Sequence, residues 1–339
     1  MTDGPGWASP DPQPDPQRQP SPAYPQYPSA PPPRAGALKP GVIPLRPLGV
    51  SEILDGAIST MRAHPKPTLG VSAIVVLVSE LLLLVATYPL LDDIGRASSI
   101  TQATPPEEVL AAFRATMSYL GIILVIGLPT LVLLSGFLTV VAGKAVLGQP
   151  IGAGEVWSRV RPRLLALLGL TMVYPAVALG ASLVLFVLAL AVPPLAVVVA
   201  IALVPLALWL YVLFSLATPA LMLENARIGA AFGRSRKLVR GSWWRVFGIE
   251  LLALVITIIL TLIITAPFAY FGGGFDQVTT EPAPPTVTYL ILTTIGGIIA
   301  GTVTRPFVAI VTALLYTDQR MRREGMDIEL ARMAGQPPP

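Results

Sequence analysis

Six long apolar runs dominate this chain: residues 68–91, 119–143, 164–192, 195–223, 246–271 and 289–316. An α-helix rises about 1.5 Å per residue, so about 20 apolar residues cross a hydrocarbon core of about 30 Å. Every run meets that length, and only Pro193 and Pro194 part the third from the fourth. The pattern predicts an all-α fold, a polytopic transmembrane helix bundle of about six spans.

A different pattern precedes the pairs of runs. Val50, Ile53, Leu54, Ala57, Ile58 and Met61 recur at the 3.6-residue period of a helix with one apolar side. Two further segments align without gaps: Ile151-Gly152-Ala153 through Ser158-Arg159 to Arg163, and Ile228-Gly229-Ala230 through Ser235-Arg236 to Arg240. The expected architecture is three units, each an amphipathic interfacial helix followed by a transmembrane hairpin. On the helix beginning at Ile228, Phe232, Val239 and Trp243 are expected to sink into the interface while Arg234, Lys237 and Arg240 meet lipid phosphates. Arg159, Arg163 and Trp244 belong to the same expected lipid-contacting set.

Charge then orients the bundle, because cytoplasmic loops retain Lys and Arg. Arg62, Lys66, Lys144, Arg161, Arg227, Arg236, Arg245, Arg320, Arg322 and Arg323 join the basic residues named above on one side. The opposite loops carry Asp92, Asp93, Glu107, Glu108, Asp276 and Glu281, with Arg96 and Arg114 as their basic residues. Both ends are therefore expected in the cytoplasm. Tyr88, Tyr119, Tyr270 and Tyr289 at one boundary, and Trp157, Trp243, Trp244 and Tyr316 at the other, suit two aromatic belts.

Composition agrees: 53% of residues are hydrophobic and 12% charged, against about 25% charged in soluble domains. The net charge of +4 is spread between apolar blocks, which reads as topology at a membrane surface rather than nucleic-acid binding. The absence of cysteine excludes disulfides and thiolate chemistry. Residues 1–45 hold no apolar run, so no secretory signal is expected there; their repeated prolines predict a disordered cytoplasmic tether. Residues 46–323 form the expected membrane domain and 324–339 a short tail.

Two charges fall inside the predicted membrane. Glu80 is 12 residues from Thr68 and Arg305 is 11 from Tyr316, which puts both at a depth of about 16–18 Å. An unpaired charge there costs at least about 2.5–3.5 kcal/mol, so an ion pair clamping first run to last is expected. The alternatives are a protonated Glu80 bonded to a hydroxyl or carbonyl, and Arg305 facing a watery crevice. Glu250, about one turn inside the fifth run, is expected to snorkel. Gly297 and Gly301 share one helical face and allow a neighbouring helix to approach. Pro129, Pro175, Pro205, Pro267 and Pro306 invite kinks.

Catalytic signatures are missing. Gly143-Lys144 lacks the earlier glycine of a P-loop, and neither a G-x-S-x-G elbow nor a dinucleotide fingerprint occurs. His64 is the one histidine, which excludes an H-E-x-x-H site and reads as an interfacial polar residue. Asp92, Asp93, Glu107 and Glu108 could bind a cation but read as a solvated acidic loop. Pro105-Pro106-Glu107-Glu108 also reads as a helix start, with Val109, Leu110, Phe113 and Met117 resting on the outer bilayer face. No cofactor or metal is expected.

Three stretches carry a resemblance. They are Pro40-Gly41-Val42-Ile43-Pro44-Leu45-Arg46-Pro47-Leu48-Gly49 with Glu52 to Ala57, the stretch from Arg234 to Arg245, and Leu314-Leu315-Tyr316-Thr317-Asp318-Gln319-Arg320-Met321-Arg322. Together they resemble actinobacterial membrane proteins grouped with the glycerophosphoryl diester phosphodiesterase membrane domain, over roughly residues 40–330. The resemblance implies a membrane module without the separate soluble barrel whose histidines and metal-binding carboxylates perform that hydrolysis. It transfers no catalytic residue. The expected role is a non-enzymatic scaffold or accessory subunit contacting membrane lipids and other membrane proteins. The alternatives are a transporter or lipid-handling pore, and then an enzyme acting on lipid headgroups. Full-length protein should pellet with membranes on ultracentrifugation without detergent; a chain that stays in the supernatant defeats this whole reading.

Overall fold

Inside hydrocarbon a backbone amide finds no water, so an apolar run satisfies itself by bonding four residues back along its own helix. The computed structural model describes residues 41–44, 46–90, 105–273 and 286–325, all within one compact unit, Leu38–Pro339. The tail through residue 40, the loop residues Asp92, Asp93, Arg96, Asp276 and Glu281, and the chain after residue 325 lie outside the described residues.

The first unit is α1 (Val50–Ala63), then α2 (Val71–Thr87), entered through a π-helical turn at Lys66–Gly70, then α3 (Pro106–Val146). The second is α4 (Ala153–Val160), α5 (Leu164–Ala191) and α6 (Pro193–Phe214), with α6 continued by the short α7 (Ala217–Leu223). The third is α8 (Ile228–Val239), α9 (Trp243–Phe271) and α10 (Val287–Glu324). Six segments are long and apolar enough to cross a membrane: Lys66–Leu90, Glu107–Val146, Ala153–Leu188, Pro193–Leu223, Trp243–Phe271 and Val287–Glu324. Among the described residues there is no strand. The molecule is an all-α polytopic bundle with a short amphipathic helix before each hairpin.

Two helices run further than their apolar pattern predicts. α3 has 41 residues, about 60 Å of helix, because nothing between Met117 and Tyr119 interrupts its hydrogen-bond ladder. Val109, Leu110, Phe113 and Met117 therefore extend the second span instead of forming a separate helix on the outer surface. α10 has 38 residues and continues past Tyr316 to Gly325, whose φ of +62° ends it. The fourth span departs in the other direction, breaking between Phe214 and Ala217. Pro219 has no amide to offer the Ser215 carbonyl, so the ladder lapses there. Tyr174 donates to the Phe214 carbonyl (3.2 Å) and Ser235 to the Leu213 carbonyl (2.8 Å), which satisfies the freed acceptors.

α10 is the axis of the bundle. Half of its apolar window is buried, against 11–28% in the other five spans, and it packs on α9, α2, α3 and α1. Glycines on opposite sides make this possible. A side chain at Gly296 would collide with Phe268 of α9, and one at Gly301 would press on Val76 of α2. Far from this axis, Leu179, Leu183, Phe186, Ile201 and Val204 are 62–73% exposed and form an outer belt suited to hydrocarbon.

The segment before α1 straps the basic end of the bundle together. Gly41 lies so close to the end of α3 that any side chain would strike the Ala145 carbonyl, and the Val42 amide donates to that carbonyl at 3.1 Å. Ile43 and Leu48 are fully buried in the core. Asp318 of α10, with no exposed surface, accepts the Leu48 amide at 2.8 Å, Arg322 at 2.9 Å and Arg245 of α9 at 3.1 Å. Both guanidinium groups also donate to the Leu48 carbonyl, at 2.6 and 2.7 Å. All three stretches that carry the resemblance, through Leu48, Arg245 and Asp318, thus meet in one knot.

The repeated helices do not pack alike. α4 buries Val156 and Val160, whereas the aligned positions in α8, Gly233 and Lys237, are exposed. α8 instead buries Ala231, Ser235, Leu238 and Val239. α1 has the same spacing in Ile53, Ala57, Thr60 and Met61. The weaker sequence copy, α1, is therefore the one that packs like α8. Replacing Asp318 by Ala should cost about 3 kcal/mol, since two guanidinium groups and an amide lose their shared acceptor. A thermal melt in detergent should show the fall in midpoint, and an unchanged midpoint would deny the knot its role.

Candidate functional site

The intramembrane charges lie on neighbouring helices. Arg305 Nη2 of α10 stands 3.5 Å from Glu80 Oε1 of α2. Gly297 lies beside the pair, where an added Cβ would make an ordinary contact of 3.6 Å with Glu80 Oε2. The adjacent Ser79 and Thr130 hydroxyls are 2.5 Å apart and tie α2 to α3 at the same level. Pro306 lies in a continuous helix, as do Pro129, Pro175, Pro205 and Pro267. Glu250 does not snorkel. Both of its carboxyl oxygens are buried without a hydrogen-bond partner among the described residues, and it faces a mid-bundle cavity.

At the basic end, the close of α3, the start of α5, the loop after α7 and the last turns of α10 enclose a cavity of about 740 Å³. Lys144, Arg159, Arg163 and Arg320 line it, together with apolar Val140, Ala166, Met222 and Leu223. Lys144 is almost fully buried; its ammonium bonds Glu155 and the Pro150 carbonyl (3.0 Å), and Arg159 reaches the same carboxylate at 3.1 Å. Arg163 donates to the Ala226 carbonyl at 3.2 Å and pairs with no carboxylate among the described residues. The turn that carries Ala226 is shaped by Asn225, at φ +54°.

A second network closes the cavity rim. Arg234 of α8 grips Glu224 at 2.9 Å through Nε and also bonds Glu324. Arg320 contacts both acids, at 3.4 and 3.1 Å, and the buried Tyr316 hydroxyl donates to Glu224. Burial alone opposes the Arg234 charge, but hydrogen bonds and attraction from Glu324 and Glu224 outweigh it and hold its pKa above the ordinary guanidinium value. Around the cavity, Lys144, Arg159, Arg163, Arg234 and Arg320 face Glu155, Glu224 and Glu324, leaving an excess of positive charge.

Several residues expected at the lipid surface are placed elsewhere. Arg234 turns into the network above, and Val239 is fully buried in the core. Phe232 packs edge-on against Phe214, with ring centres 5.1 Å apart. Trp243 stacks on Phe247 at 5.1 Å and donates to the Trp209 carbonyl at 3.3 Å. Arg159, Lys237, Arg240 and Trp244 are exposed. The Lys237 carbonyl accepts Arg323. His64 caps α1 and accepts Thr68 through its own carbonyl. Sequence reasoning missed Glu224, Glu324 and Asp318 as partners. Their one local signal was the Asp318–Arg322 and Arg320–Glu324 spacing of four residues, which places each pair on one helical face.

Six spans, a lipid-suited belt and charges paired inside the apolar region define an integral, multi-pass membrane protein. Comparison with known protein families, with curated proteins and with solved structures finds no match to this chain. Exchanging the charges at positions 80 and 305 should restore the stability that Glu80→Arg or Arg305→Glu alone removes. If the double exchange melts no higher than the worse single variant, the two side chains do not act as a pair.

Proposed function

We propose that this chain is a non-enzymatic component of the bacterial cytoplasmic membrane, with both ends inside, that holds anionic lipid headgroups at its basic end. The observation that carries the reading is the 740 Å³ cavity, where cations surround an apolar floor at the level of the span ends. A basic pocket between helices on the cytoplasmic side suits a phosphate-bearing headgroup, with acyl chains running down the adjacent helices. Arg163 is the best-placed ligand: a guanidinium without a carboxylate partner offers a fork for phosphate oxygens. Arg159 adds an exposed cation at the same cavity, and Lys237, Arg240 and Trp244 are further exposed cationic and aromatic residues of the third unit. The resemblance to the membrane domain of the phosphodiesterase group is consistent with a lipid-facing module that lacks hydrolytic residues.

A second reading, a transporter, is favoured by one specific feature: the fourth span is broken where it lines the mid-bundle cavity. Lipid retention tests the first reading directly. Protein in mixed micelles should retain phosphatidylglycerol in preference to phosphatidylcholine when observed by native mass spectrometry. Arg163→Ala should weaken that preference about fivefold, which matches about 1 kcal/mol per basic residue at an anionic surface. Equal retention of the two lipids by the unaltered protein overturns the reading. Saturable, substrate-selective flux in liposomes supports the second.

A further inference from the structure

Glu250 presents a problem of charge. Its two carboxyl oxygens are buried between helices with the Ser215 hydroxyl beside them, and Arg305 lines the same cavity. Arg305 already has Glu80 at 3.5 Å. The cavity, about 530 Å³, lies among α3, α5, α6, α7, α9 and α10 and includes the break in the fourth span. An isolated carboxylate in a mostly apolar chamber is expensive, so the group either takes up a proton or is balanced by a cation that enters.

The walls specify what can enter. Thr171, Thr257, Thr304 and Thr312 each give their single hydroxyl proton to a carbonyl of their own helix, at 2.8–3.0 Å. Ser215 stands within hydrogen-bonding reach of Glu250 and of the Val212 carbonyl (3.0 Å), and its single proton serves one acceptor at a time. Tyr174 likewise donates to Phe214. These hydroxyls present their lone pairs to the chamber, which suits a ligand that carries donors. Tyr174 and Tyr211 also face the chamber, with ring centres 6.3 Å apart and planes tilted by 59°. Aromatic faces beside a carboxylate attract organic cations.

We infer that this mid-bundle cavity is a binding site for a lipophilic organic ammonium ion, with Glu250 as its counter-charge and Tyr174 and Tyr211 as its aromatic walls. The hydrocarbon part of the ligand lies along Leu128, Leu131 and Val308. A bare metal ion fits poorly, because a chamber of this volume cannot close a tight oxygen shell around it. The inference is independent of headgroup binding at the basic end, which uses other residues.

Ethidium, an aromatic cation with two amino groups, is a suitable probe for protein in nanodiscs of phosphatidylcholine, a lipid without net charge. Its fluorescence should rise saturably, and dodecyltrimethylammonium but not dodecyl sulfate should displace it from the unaltered protein. Glu250→Gln should weaken binding about tenfold or more, the worth of a desolvated charged contact. Glu250→Asp should retain part of it, and Glu107→Gln, at the exposed start of α3, should leave it unchanged. Absence of saturable binding to the unaltered protein overturns the assignment. So does displacement by sodium ions in place of the alkylammonium, or full affinity in a Glu250→Gln protein with an unchanged melting midpoint.

Discussion

A single buried carboxylate holds the basic end of this protein in register. Asp318 gathers two guanidinium groups and a backbone amide contributed by three separate parts of the chain. Charge burial of this kind brings little net stability when complete, but leaves unpaired ions when any member is lost. Its value is therefore positional: the strap around Leu48, the start of α9 and the end of α10 must meet there or not fold. The cations that surround the neighbouring cavity inherit their places from that constraint, because Tyr316, Arg320 and Glu324 occupy the same turns of α10.

Above this knot the bundle relies on close approach. Hydrocarbon provides no hydrophobic force between helices, so association depends on packing and polar contacts. Gly296 and Gly301 bring α9 and α2 against opposite sides of α10, and Glu80 of α2 meets Arg305 there. The first and last spans and the fifth consequently form a tight group. The hairpin of α5 and α6 stands further out, its leucines and valines heavily exposed, and the looser seam holds the mid-bundle cavity. One architecture thus combines a rigid side with a hollow one.

The repeat shows how far a linear pattern reaches. Segments 151–163 and 228–240 match residue for residue in key positions, yet α4 and α8 bury different faces. Ser235 explains the difference. Its hydroxyl is needed by the Leu213 carbonyl, freed where the fourth span breaks, whereas Ser158 bonds only within its own turn. The first unit ends at no comparable break before α4, so the same residues meet a different surface. Arg234 follows from this rotation: facing Glu224 and Glu324, it serves the cavity rim instead of the lipid surface.

Sequence alone determined the helices, the six spans and the grouping of basic residues beside them, because helix formation in oil is a local requirement and hydropathy records it directly. It also placed Glu80 and Arg305 at one depth, since rise per residue is fixed. Only the tertiary structure decided that Glu250 stays buried, that the fourth span breaks at Ser215, and that Asp318, Glu224 and Glu324 become anchors. Those outcomes depend on which helix faces which, and residues far apart in the chain leave no shared period by which to recognise one another.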